Sequence, residues 1–350
     1  MRVRLEDVCE KGSSKLKQSD VIDQNGLYPV YGASGYLGNV NTYQQSNYYV
    51  AVVKDGAGIG RTMLLPPKSS IIGTMQYLIP KDNVLPEYLY YVVKAKHLEK
   101  YFSGATIPHI YFKDYKNEQF DLVSFEEQRE IINRIKKIEI IIDDLSKTLA
   151  LLDELVRARF VEMFGEYETS VKLSRYIKEL RAGKSLAGKT KCKNKVLKTG
   201  AATFGFFDKE QYKYYPIDYV PNPLHKVEDG DVIISRMNTP ELVGSCSYVF
   251  EAPEDMYYPD RLWKTIITED TNPIFLWQLM WQQDIRKQIK ENSFGTSGTM
   301  NNISKVKLLN IKAIDVPLEL QEKYASFVQE IDKSRLLSNH SLYLIKSITF

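Results

Sequence analysis

The sequence is short of the residues that most often carry out chemistry. Its three cysteines, Cys9, Cys192 and Cys246, are scattered without paired spacing. That excludes a disulfide framework and a cysteine zinc site, and fits a reducing, cytoplasmic compartment. The four histidines, His97, His109, His225 and His340, show no metal-ligand spacing. No Gly-x-Ser-x-Gly nucleophile elbow occurs. No catalytic residue, metal or cofactor is therefore expected. No apolar run approaches the roughly 18 residues of a membrane span, and the opening MRVRLEDVCE lacks the apolar stretch of a signal peptide. Neither membrane association nor export is expected. Net charge is scarce too. Lys and Arg number 47 against 44 Asp and Glu, leaving +3 over 350 residues. The chain is no polycation, so a nucleic-acid site must come from local clustering.

What it does have is one long heptad run. From Phe125 to Phe160 apolar residues fall at Ile131, Ile135, Ile138, Ile142, Leu145, Leu149, Leu152 and Val156, in alternating steps of 4 and 3. Neither Pro nor Gly interrupts them. Glu126 and Glu127 stand in the first turn, where the helix dipole favours negative charge. The spacing predicts a helix too long for an ordinary domain, with a seam that needs a partner helix.

The pattern then starts again. Val171-Lys-Leu173 repeats Val3-Arg-Leu5, 168 residues on, and Thr299-Met-Asn-Asn-Ile303 repeats Thr106-Ile-Pro-His-Ile110 at an offset of 193. At that same offset the segment from Val316 to Gln321 matches Val123 to Gln128. The strand-like Asp231–Arg236 matches the one ending at Lys54 and Asp55. Pro273 opens a helix as Pro86 does, the latter expected to continue to about Phe102. The fold class is thus α+β: two mixed α/β globules, each followed by a long helix. The boundaries are 1–122, 123–165, 166–316 and 317–350. The second helix carries Tyr324, Val328, Ile331, Leu342 and Ile345 on its seam, with Arg335, Ser338 and Thr349 breaking it. A polar seam position fixes register and partner choice. This helix is expected to pair antiparallel with the first as a coiled coil.

A full P-loop pattern, Gly183 to Gly188-Lys189-Thr190, stands where the context is wrong. The preceding 176–181 reads as polar and helix-like, and 191–198 alternates like a strand, whereas a P-loop needs a strand before and a helix after. The same stretch holds six lysines and no acid between Lys184 and Lys198, a natural phosphate contact through Lys184, Lys189 and Lys198. A solvated lysine loop is the plainer alternative. Thr203, Phe206, Arg236 and Asn238 supply groups for base edges, since Arg reads guanine and Asn reads adenine. In the first copy Tyr31, Ser34, Tyr36, Lys54 and Arg61 occupy comparable turn positions. Each of these alone could equally be a surface residue.

Laid out as a repeat, the sequence resembles the DNA specificity subunit of a type I restriction–modification system. The resemblance rests on Thr106 to Ile110, the lead-in through Glu126-Glu127-Gln128, the long helix, the Val196 to Asp208 stretch and Gly230 to Met237. It implies two target recognition domains, each reading half of a split double-stranded DNA target, with the helices as a ruler. Thr106 and His109 join the expected DNA contacts. It also implies docking of two DNA methyltransferase subunits, joined by restriction or motor subunits, the chain itself being non-catalytic. The alternatives are the specificity part of a related restriction system and a coiled-coil structural adaptor.

Overall fold

Tyr49–Val53 and Val232–Ser235 are strands in which every residue is buried, and each forms the middle of one of two units. The computed structural model describes residues 1–22, 24–104, 108–295 and 300–349, so Thr106 lies outside the described residues. The chain divides into Met1–Ser146 with Ser341–Phe350, and Lys147–His340.

In the first unit the strands are β1 (Arg2–Arg4), β2 (Cys9–Ser13), β3 (Tyr28–Gly32), β4 (Gly35–Val40), β5 (Tyr49–Val53), β6 (Thr62–Leu65), β7 (Ser70–Ile71), β8 (Met75–Pro80) and β9 (Gln119–Asp121). β1 pairs with β9. A four-stranded sheet has the order β2-β8-β5-β6, and a three-stranded one β4-β3-β7. β5 reads as an unbroken apolar run because both its faces are covered. Val50 and Val52 pack with Leu78 and Leu89; Tyr49, Ala51 and Val53 pack with Met75 and Tyr77 on the other side.

The helices of this unit are α1 (Leu5–Val8), α2 (Pro86–Lys94), α3 (Phe112–Tyr115) and the start of α4 (Phe125–Phe164). α2 stops well short of Phe102, because His97 takes a left-handed conformation (φ 49°) and a separate 3-10 turn follows over Leu98–Tyr101. A capping box opens α4. The Ser124 hydroxyl accepts from Glu127 N–H, and the Glu127 carboxylate accepts from Ser124 N–H at 2.9 Å. The Ser124 hydroxyl, which also donates to the Glu127 carboxylate (2.8 Å), and then the Ser124 N–H hold that carboxyl below its usual range.

The second unit repeats this plan. Its strands are β10 (Thr169–Lys172), β11 (Ile177–Ala182), β12 (Lys195–Leu197), β13 (Tyr212–Tyr214), β14 (Val232–Ser235), β15 (Met237–Asn238), β16 (Cys246–Tyr248), β17 (Met256–Tyr257), β18 (Leu262–Ile267), β19 (Asn301–Asn302) and β20 (Lys312–Ile314). β10 pairs with β20, the four-stranded sheet runs β11-β18-β14-β16, the three-stranded one β13-β12-β17, and β15 pairs with β19. In both three-stranded sheets the middle strand is antiparallel to one neighbour and parallel to the other. The helices are α5 (Pro273–Met280), α6 (Gln283–Asn292), α7 (Lys305–Leu309) and α8 (Leu318–Thr349). The helix-like 176–181 falls, from Ile177 on, in β11, an edge strand. Among the described residues it pairs only with β18, and it carries a bulge between Ile177 and Glu179, which breaks the alternation that would have marked it.

Each globule is tied to its long helix by one buried glutamine. Gln128 Oε1 accepts from Leu85 N–H (2.8 Å), and its Nε2 donates to the carbonyls of Asn83 and Val123. Gln321 Oε1 accepts from Asn272 N–H (2.9 Å), and its Nε2 donates to the carbonyls of Asp270 and Val316.

Along α4 the expected seam is the sheltered face. Between 133 and 158 only Ile135, Ile138, Ile142, Leu145, Leu149, Leu152 and Val156 escape full exposure. Within the second unit the end of α4 and the start of α8 run antiparallel. Tyr324 Oη donates to the Val156 carbonyl (3.1 Å) and its ring meets Phe160 edge-on at 5.4 Å. Further along α8, Arg335 pairs back to Asp153 and also to Asp332 (3.2 Å). Phe160, Phe164, Tyr176, Phe275 and Tyr324 form an aromatic knot that holds both helices to this globule.

Candidate nucleic-acid interface

The strand registers decide which residues share one end of each four-stranded sheet. In the first unit Ser13 pairs with Gln76, Val53 with Met75 and Val52 with Thr62. The chain therefore leaves β2 through Lys15 and Lys17, leaves β5 through Lys54 and Asp55, and enters β6 from Arg61, all at the same end. Arg61 Nη1 donates to the Ala33 carbonyl (2.7 Å), which draws in the β3–β4 turn. Ser34 sits at that turn, and the Tyr31 and Tyr36 rings flank it 6.2 Å apart. Burial, then the neighbouring Tyr36, pushes the Tyr31 phenol up.

His109 closes the same end. Its Nδ1 lies 2.7 Å from Asp55 Oδ1, and Ile110 N–H donates to the Lys54 carbonyl (2.9 Å). The Tyr111 ring stacks on His109 at 6.3 Å. So Tyr31, Ser34, Tyr36, Lys54, Arg61 and His109, scattered over 79 positions, are gathered at one edge of this unit.

In the second unit Ala182 pairs with Trp263 and Ser235 with Leu262. The lysine-rich loop after β11, Arg236 after β14 and Arg261 before β18 accordingly share an end. Arg236 N–H donates to the Arg261 carbonyl (3.1 Å), and Ser185 bonds to Asp260. Arg236 Nε reaches Asn302 Oδ1 (3.4 Å), and its guanidinium lies 5.8 Å from the Trp263 ring. Asn238, in β15 rather than in a loop, donates from Nδ2 to Thr203 Oγ1 (3.4 Å). Phe204 and Phe206 are 70% and 57% exposed on the link beside Thr203.

The remaining lysines stand apart from this cluster. Lys189 is on the loop that packs against Tyr214 through Gly188, and Lys198 starts the 198–211 link, its N–H bonded to the Gln211 carbonyl (2.8 Å). Among the described residues no carboxylate pairs with Lys184, Lys189, Lys198, Arg236 or Arg261. The local field is positive. Burial, and then the charges of Arg181 and Lys184, hold the His225 imidazole below its ordinary value.

The P-loop pattern has a structural explanation. A strand does precede it, but no helix follows Lys189. Its glycines serve close packing instead: a Cβ at Gly183 would overlap the Tyr258 carbonyl oxygen, and one at Gly188 the Tyr215 carbonyl oxygen. Asn302, Arg261, Lys15 and Lys17 were not legible as interface residues, because only strand register brings them there. Among the described residues no cluster of His, Cys, Asp and Glu could hold a metal ion, and no helix is long and apolar enough to cross a membrane.

A family model, the type I restriction modification DNA specificity domain, matches residues 1–154. The chain carries that specificity domain. It is 24% identical over 310 residues to the type I restriction enzyme MjaVIII specificity subunit of Methanocaldococcus jannaschii, covering 81% of this chain and 72% of that protein. To the MjaIX specificity subunit of the same organism it is 30% identical over 95 residues, 26% of this chain and 22% of the relative. The crystal structure of a type I restriction–modification S subunit from M. genitalium matches all of this chain and 93% of its own, with TM-score 0.62 and 15% identity. A chain from a structural study of assembly and conformational transition of the type I system matches all of this chain and 95% of its own, with TM-score 0.51 and 16% identity. At those identities the structures establish the fold, which is that of a type I specificity subunit.

Proposed function

We propose that this specificity subunit reads a double-stranded DNA target in two parts, one with each unit, and positions separate catalytic subunits on it. The observation that carries this reading is the recurrence of one sheet plan, with a basic end in each copy, around different side chains. Two such ends suit two half-sites of different sequence. Residues 1–122 and 166–316 act as the recognition domains. Tyr31, Ser34, Tyr36, Lys54, Arg61, Thr106 and His109 contact one half-site, and Lys184, Lys189, Lys198, Thr203, Phe206, Arg236 and Asn238 the other.

The long helices act as an antiparallel coiled-coil spacer. At about 1.5 Å per residue the 40 residues of α4 span roughly 60 Å. That is the scale needed to set two half-sites a turn or so apart on a duplex that repeats every ~35 Å. Two methyltransferase subunits dock on this framework, with restriction or motor subunits joining them, so methyl transfer and cleavage occur on other chains.

The test is co-expression with a methyltransferase subunit and genome-wide mapping of methylated adenines. A single split motif with a fixed gap, lost when this chain is omitted, is the expected result. Removing matched heptads from α4 and α8 should shorten the gap. Methylation that is unchanged without the chain defeats the reading, and a gap insensitive to matched deletions defeats the spacer.

A further inference from the structure

The repeat allows the two units to be compared position by position, and one comparison separates DNA anchoring from DNA reading. We propose that Lys54 and Arg236 are equivalent phosphate anchors. Base selection is made by the links that differ between the units: Ala33–Ser34 in the first and 198–211 in the second. The proposal rests on the DNA-reading function above and assigns its parts.

Lys54 and Arg236 each follow the last residue of the buried middle strand. Val53 N–H donates to the Arg61 carbonyl and its own carbonyl accepts from Gly60; Ser235 does the same with Ser245 and Gly244. Gly60 and Gly244 both adopt left-handed φ, +81° and +72°. The Lys54 carbonyl accepts from Ile110 N–H at 2.9 Å, and the Arg236 carbonyl from Ile303 N–H at 3.0 Å. The residue before each isoleucine exchanges two backbone bonds with a neighbour, His109 with Ser103 and Asn302 with Phe294. Its side chain then braces the cation's segment: His109 bonds to Asp55, and Asn302 accepts from Arg236. A cation thus stands at one backbone site in both units, on one supporting frame.

What the two units share cannot tell two different half-sites apart. The feature that duplex DNA offers at every position is its phosphates. The occupants agree with that. Lys and Arg both carry the positive charge that a phosphate contact needs, so either can fill an anchor's site. Arg236, which by residue type alone could read guanine, is thereby assigned to the backbone.

The links behave oppositely. Two residues join β3 to β4, whereas fourteen, 198–211, join β12 to β13. Each link is tied to the anchor's end of the sheet by one side chain, Arg61 to the Ala33 carbonyl and Asn238 to Thr203. Exposed aromatic rings stand at each link: Tyr36 just past the first, on β4, and Phe204 and Phe206 within the second. Different length and chemistry on a common mount is what reading two sequences requires.

The test uses the full chain assembled with a methyltransferase subunit, a duplex carrying its mapped target, and methylated-site mapping. Arg236→Met removes the charge and keeps an unbranched side chain of similar length, and Lys54→Met is its counterpart. Each should weaken binding about tenfold near 0.1 M salt, lower the log K against log salt slope by about one, and leave the methylated sequence unchanged. Arg236→Lys should restore the slope. Replacing Thr203, Phe204 and Phe206 with Ala should relax the second half-site alone. A changed base preference in Arg236→Met, or failure of Arg236→Lys to restore the slope, overturns the anchor assignment. Intact base preference after the 198–211 substitutions overturns the reading assignment. Failure of the function itself is distinct: the unsubstituted complex would have no split target at all.

Discussion

Gln128 and Gln321 stand 193 residues apart and make the same three hydrogen bonds. Each accepts from the N–H of the residue that precedes a Pro-initiated helix, and each donates to a carbonyl two residues before that point and to one five residues before itself. Both side chains are almost wholly buried, at 1% and 0% exposure. A long helix leaving a globule is a lever, and its angle is only as firm as its joint. Here the joint is a carboxamide whose donors and acceptor all meet main-chain groups.

Replacing either glutamine with leucine should therefore cost about 3 kcal/mol, since three main-chain polar groups lose their partner in a buried site. Thermal unfolding of Gln128→Leu and Gln321→Leu measures it. A loss under about 0.5 kcal/mol, typical of surface changes, would mean that water replaces the amide.

Arg335→Ala should destabilise the second unit by about 3 kcal/mol near neutral pH, because Asp332 is buried and would lose its counter-charge. Burial already pushes the Asp332 carboxyl up, with Arg335 opposing it. In the variant the folded carboxyl holds its proton to higher pH than the unfolded one, which ionises near about 3.9. The folded state then binds more protons across that window, so stability falls as pH rises. The penalty should shrink in acid, as urea unfolding at several pH values would reveal. A pH-independent penalty would assign the loss to packing.

Lys189→Ala should leave nucleotide binding as it is in the unsubstituted chain, while Gly183→Ala lowers the melting temperature. The first tests the P-loop pattern and the second its replacement, the close approach of Gly183 to Tyr258. Isothermal calorimetry with ATP and magnesium, and a thermal melt, are the two measurements. A Gly183→Ala chain that melts unchanged contradicts the steric account.

His225 should titrate below the usual histidine value of about 6.5, and Lys184→Ala should raise it. The unfolded imidazole takes its proton first as pH falls, so between the two values the unfolded state binds more protons and stability drops toward acid. Proton NMR of the ring in both chains checks the shift. No change in Lys184→Ala would leave burial and Arg181 as its sources.

The sequence made the repeat and the seam legible because both are periodic. Ile135 to Val156 face shelter at their heptad positions, and Ile110 and Ile303, which close the matched Thr-x-x-x-Ile segments, bond to the equivalent carbonyls of Lys54 and Arg236. The edge strand β11 reads as helix because Lys178 is the extra residue of a bulge, which spaces the buried Ile177 and Leu180 three apart instead of two. Gln128 and Gln321 were visible as a matched pair, but their role was not, since their partners at Leu85 and Asn272 lie 43 and 49 residues away. The candidate interface was legible only as residue types. Which lysines and arginines share an edge depends on register, and register between strands such as β5 and β8 leaves no local mark.

The two turn lengths at the tips of the three-stranded sheets carry a consequence for how such chains diversify. Closing a loop of fourteen residues rather than two costs only about 2 kcal/mol by chain statistics. The strands on either side keep the same order in both units. Tips can therefore be lengthened or exchanged at small cost to folding, so these two positions tolerate change while the scaffold stays put.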